Sequence, residues 1–186
     1  MKHKLRALVL AGLLVGLVGG LGPMSAAARA AGATAGTPFC GITWGSLPKS
    51  AAGMSQAQLL VTRTGQDTCW DRVVFEFDGA VSGYGVSYGE VYTEGQGLAM
   101  SPYTAGGALL GVHLHAPVTI YPGSGTHVAN VLGYQTLRDV VFGGSFEGYS
   151  TFAVGVRATL PFRVFTLGGP GTHSRVVLDI AHRWEQ

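Results

Sequence analysis

Beyond residue 38 the chain runs in short stretches where apolar or β-branched residues alternate with polar ones, bounded by Gly, Pro, Ser and Asn. Such stretches predict strands at residues 59–63, 72–77, 84–92, 108–115, 131–137, 151–158, 162–167 and 175–181. No segment there holds a 3.6-residue apolar period over ten or more positions, and only a short helical turn near 127–131 is expected. Short alternating strands at this spacing predict an all-β fold, a sandwich or a barrel. Gly143-Gly144 and Gly168-Gly169-Pro170-Gly171 precede neither a helical pattern nor Lys-Ser/Thr, so they read as turns rather than phosphate cradles.

Two of the runs echo each other: DRVVFEF at 71–77 and SRVVLDI at 174–180. Strand alternation puts Val73, Phe75 and Phe77 on one face, and Val176, Leu178 and Ile180 likewise. The opposite faces carry Arg72 with Glu76, and Arg175 with Asp179. Within one strand, arginine and acid lie about 13 Å apart, too far to pair. Neighbouring antiparallel, the two strands would set Arg72 against Asp179 and Glu76 against Arg175, fixing register.

The N-terminus changes the reading of charge and location. Lys2, Lys4 and Arg6 precede an almost wholly apolar run from Leu8 to Leu21, and Ala28-Arg29-Ala30 supplies a small-x-small cleavage pattern. Residues 1–30 are therefore expected to be a signal peptide, residues 31–38 a small-residue linker, and residues 39–186 the domain. Interrupted by four glycines and short of a bilayer span, the apolar run predicts no stable membrane insertion once cleaved. The whole chain carries 12 basic and 10 acidic residues, but the signal takes Lys2, Lys4, Arg6 and Arg29 with it. The remaining 8 basic against 10 acidic side chains give no electrostatic reason to expect nucleic acid.

Cys40 and Cys69 both lie in the exported part, where an even pair reads as one disulfide. No Cys-x-x-Cys or Cys/His array is present, and no cofactor is expected. His113-x-His115 could reach one metal, with His127, His173 or His182 as a third ligand, yet an exposed strand face explains the pair equally well.

Several motifs in order resemble the AMIN-like domain, a family of exported actinobacterial proteins. They are Cys40-Gly41-Ile42-Thr43-Trp44-Gly45-Ser46-Leu47, CWDRVVFEF at 69–77, Gly83-Tyr84-x-Val86-x-Tyr88, Gly144-x-Phe146-Glu147-Gly148, Pro161-Phe162-Arg163-Val164 and RVVLDIAH at 175–182. Together they span most of residues 39–182. The family name marks a weaker similarity to the AMIN domain, a β-sandwich found beside cell-wall amidases or in secretion proteins that binds peptidoglycan. The resemblance therefore implies a single antiparallel β-sandwich that is a stand-alone, non-catalytic envelope module, secreted and extracellular or cell-wall associated. Its partner would be a cell-wall glycan such as peptidoglycan. No ligand-contacting motif of the parent family matches residue by residue, so the resemblance carries over no site.

The residues offer their own candidates. Tyr84, Tyr88 and Tyr92 share a strand face with Val86 and Glu90, which is either a stripe for stacking on sugar rings or a core-facing strand. Glu147, in a Phe-Glu-Gly turn, is the least explained acid: a hydrogen-bonding anchor or, with a second carboxylate, the acid of a glycan hydrolase. Arg163 faces either an anionic ligand or a carboxylate across the sheet. No Gly-x-Ser-x-Gly nucleophile elbow occurs. A third class of function is a protein-interaction module whose exposed sheet edge pairs with a partner strand.

Overall fold

The computed structural model describes residues 38–184; the expected signal peptide at 1–30 and all but the last residue of the expected linker lie outside the described residues. Strict alternation is clearest in β3 (Trp70–Phe77), where Asp71, Val73, Phe75 and Phe77 are buried and the intervening residues are half-buried. β3 sits in a four-stranded antiparallel sheet with β2 (Leu59–Gln66), β10 (Ser174–Ala181) and β9 (Phe162–Gly168), in the order β2-β3-β10-β9. The second sheet has six antiparallel strands in the order β1-β4-β5-β8-β7-β6. These are β1 (Lys49–Ala51), β4 (Tyr84–Tyr88), β5 (Ala108–Leu114), β6 (Thr126–His127), β7 (Leu137–Phe146) and β8 (Tyr149–Val156).

The two sheets pack as a sandwich rather than closing into a barrel, as the family resemblance implies. Phe75 of β3 meets Phe152 of β8 with ring centroids 4.7 Å apart, and Phe142 of β7 meets Phe152 at 5.2 Å. Phe75 and Phe152 are fully buried, and each contributes roughly 1.5–3 kcal/mol by leaving water. Cys40 and Cys69 form the expected disulfide, tying a 3-10 turn (Phe39–Gly41) to the β2–β3 hairpin across 29 residues. In the chain-entropy model this closure stabilises the fold by roughly 3–4 kcal/mol.

The register of β3 on β10 is the one the sequence echo predicts: Arg72 opposes Asp179 and Glu76 opposes Arg175. Arg72 and Asp179 form an ion pair at 2.6 Å. Glu76 does not bond to Arg175; it pairs with Arg63 of β2 and His173.

Four expectations from the sequence are corrected. Residues 131–137 do not form a strand: Asn130 accepts the Leu132 N–H in a local turn, and Gly133 adopts φ 85°. The strand there starts at Leu137, where the buried Asp71 carboxylate accepts the Thr136 and Leu137 backbone N–H groups. Gly143-Gly144 lie inside β7, at a register shift, rather than in a turn. The strand expected at 84–92 ends at Tyr88. The helical turn expected near 127–131 is absent, because His127 is extended in β6.

Candidate functional site

The even residues of β3 and the odd residues of β9 and β10 point away from the core, onto the outer face of the four-stranded sheet. At its centre is Asp179 of β10. It faces outward yet is fully buried, because Arg72 of β3 and Arg163 of β9 close over it from both sides. Arg72 donates through Nε to Oδ1 at 2.6 Å and through Nη2 to Oδ2 at 2.9 Å. Arg163 donates through Nε to Oδ2 at 2.8 Å, with Nη2 also 2.8 Å from that oxygen. The hydrogen bond to Asp179 raises the Arg72 pKa from its ordinary value, against the opposing effect of burial.

Aromatic rings complete the face. The Arg163 guanidinium carbon lies 5.0 Å from the Trp70 ring, 5.2 Å from Phe165 and 5.5 Å from Trp44, within cation–π range. Trp44 and Trp70 meet at 6.1 Å with planes tilted by 51°. Trp44 arrives from the segment before β1, where the Gly45 carbonyl accepts the Phe162 N–H and its indole donates to the Phe39 carbonyl at 2.8 Å. Trp70 follows the bonded Cys69 directly, so the disulfide fixes the end of the strand that presents it.

Both arginine side chains remain about one-third exposed. Each keeps its Nη1 free of protein hydrogen bonds among the described residues. Beside them lies a shallow cleft of about 180 Å³, lined by Gly65, Gln66, Asp67, Trp70 and Arg72. It combines an indole face, a guanidinium held rigid by a buried carboxylate, an amide and an exposed acid. Such a set can stack on a ring and hydrogen-bond its substituents, and no nucleophile or paired catalytic carboxylates stand in it.

The residues singled out from the sequence separate. Arg163 joins this face. Tyr84 and Tyr88 point into the sandwich: Tyr84 donates to the Val164 carbonyl at 3.3 Å, and Tyr88 donates to the Leu160 carbonyl at 2.7 Å while accepting its N–H at 2.9 Å. Burial pushes the Tyr88 phenol up to about 12. Tyr92 is exposed on the loop after β4, and Glu147 is exposed in the β7–β8 turn at φ 49°. Glu147 lies outside the cleft lined by Trp70 and Arg72. Trp44, Trp70 and Arg72 were not singled out as ligand residues. The available signal was the i, i+2 spacing of Trp70 and Arg72, which places both on one strand face.

The histidines also disperse. His113 bonds Thr151, His115 the Gly53 carbonyl, His127 Asp139, His173 Glu76 and His182 Asp71. Among the described residues no three His, Cys, Asp or Glu side chains form a metal-binding group, and no helix is long and apolar enough to cross a membrane.

The family model of the AMIN-like domain matches residues 57–182. The chain belongs to the AMIN-like domain family. The AMIN-like match contains Trp70, Arg72, Arg163 and Asp179, whereas Cys40 and Trp44 precede it. Membership of the AMIN-like family suggests a peptidoglycan-binding or cell-envelope module, of a kind typically extracellular or periplasmic. No curated protein and no solved structure matches the chain.

Proposed function

We propose that this protein is a non-catalytic cell-envelope module that binds a cell-wall glycan, such as peptidoglycan, through the outer face of its four-stranded sheet. The observation that carries the reading is Arg72 and Arg163 locked on the fully buried Asp179 beneath the Trp44–Trp70 pair. A buried ion network is weak as a source of stability, because desolvation offsets most of its Coulombic gain. Its effect here is to hold two guanidiniums and an indole in one geometry before any ligand arrives, which lowers the entropy cost of binding. The signal-peptide reading of residues 1–30 and the family's habit support a location outside the membrane, extracellular or wall-associated.

Retention of the purified protein on cell-wall sacculi tests this. The unmodified chain is expected to be retained at low salt. Trp70→Ala, with an unchanged circular dichroism spectrum, should weaken retention by at least about tenfold, since a central indole usually dominates such a contact. Absence of retention of the unmodified chain would remove the proposal. Hydrolysis of the sacculi by the protein would replace it with the glycan-hydrolase reading.

A further inference from the structure

The opposite side of the sandwich carries a second cavity. Residues 89–107 cross the outer face of the six-stranded sheet, with Val91 and Met100 packed on Val141 and Ala153. Met100 can settle there because β7 is bare at Gly143, where a Cβ would lie 2.7 Å from the Met100 sulfur. Between this loop and the segment before β6 opens a cavity of about 310 Å³. Met100 and Thr93, both buried, form its floor. Leu98 and Tyr103, both more than half exposed, stand as walls, and Gln96 and Ser124 supply polar groups at the rim.

The walls are held by the backbone. Thr93 N–H donates to the Leu98 carbonyl at 2.9 Å, and Leu98 N–H donates to the Thr93 hydroxyl at 3.0 Å. Tyr103 N–H donates to the Met100 carbonyl at 2.9 Å, and the Ser124 hydroxyl donates to the Gly143 carbonyl at 3.0 Å. The Gln96 side-chain amide and the Tyr103 hydroxyl make no hydrogen bond among the described residues. No Asp, Glu, Lys, Arg or His lines the cavity.

We propose that this cavity is a second ligand site, separate from the Trp70–Arg163 face, that takes one uncharged pyranose ring. The choice of a glycan ring rests on the function proposed above; the cavity does not. An aromatic wall and an apolar floor suit the C–H face of a sugar, and a free amide and hydroxyls suit its ring substituents. A charged ligand would lose its hydration here and find no counter-ion, so the lining selects against it. With sites on opposite faces, one domain can hold two glycan strands at once.

Titrating the isotope-labelled protein with chitotetraose, an uncharged oligomer of β-1,4-linked N-acetylglucosamine, and following backbone amide shifts tests the site. Shifts are expected at residues 93–104 and 124–125 as well as around Trp70. Tyr103→Ala, a change at an exposed side chain, should weaken the first set roughly five- to tenfold, the loss of one stacked ring, and leave the second unchanged. Trp70→Ala should do the reverse. Shifts confined to the Trp70 face overturn this inference while leaving the proposed function standing. Shifts confined to the cavity support it and remove the first site. Shifts at the cavity that Tyr103→Ala leaves untouched also overturn it.

Discussion

The two outer faces of this sandwich solve the same problem in opposite ways. Each sheet must present one side away from the core. The four-stranded sheet clothes its outer side with long side chains: Arg72 and Arg163 close over Asp179, and Trp44, Trp70 and Phe165 flank the guanidiniums. The six-stranded sheet sets Gly111, Gly143 and Gly155 among small and apolar residues on its outer side, and the gaps let residues 89–107 pack down onto Val141 and Ala153. A Cβ at Gly155 would lie 1.8 Å from the Ala105 carbonyl oxygen. The first strategy leaves rigid polar heads at the surface; the second leaves a backbone-walled cavity. Both produce candidate ligand sites.

Each face is most vulnerable where it is most committed. Asp179→Ala should be the most damaging change, costing about 3–5 kcal/mol in urea unfolding, because two largely buried arginines lose the counter-ion they share among the described residues. A loss below about 1 kcal/mol would mean that the network is not what organises this face. Gly155→Ala should cost less, about 1–3 kcal/mol, by driving a methyl into the Ala105 carbonyl. Faster amide exchange should then be confined to residues 89–107; exchange rising equally across the four-stranded sheet would contradict a loop docked on glycine.

The smallest effect sharpens the boundary between the faces. Tyr88 spans the sheets, its hydroxyl bonded to Leu160 just before β9. Burial raises its folded pKa to about 12, above the ordinary value of 10.0. The neutral phenol is favoured in the fold, so its contribution is fully present below pH 10 and fades as pH rises towards about 12. Stability should decline over that window, and Tyr88→Phe should flatten the decline while losing two hydrogen bonds at neutral pH. A decline unchanged in Tyr88→Phe would assign the alkaline loss to another group.

Period-two alternation was enough to determine the all-β class and the inward faces of β3 and β10, because a strand's side-chain direction is a local property. It also determined their antiparallel register, since opposed charges at matching offsets admit few alignments. The disulfide was legible from two cysteines in an exported chain. The start of β7 was not, because it is set by Asp71 binding the Thr136 and Leu137 amides from 65 and 66 residues away. Gly143-Gly144 read as a turn because a glycine needed for close approach looks, in sequence, like one needed for a bend. Tyr84 and Tyr92 sit at like positions in the alternation, but β4 ends at Tyr88, which leaves one in the core and the other exposed on the loop beyond. Arg163 could be named from the sequence as a residue facing a carboxylate or a ligand. That it meets Asp179, Trp44 and Trp70 together depends on three separate segments converging on one sheet face, a long-range arrangement that no local pattern encodes.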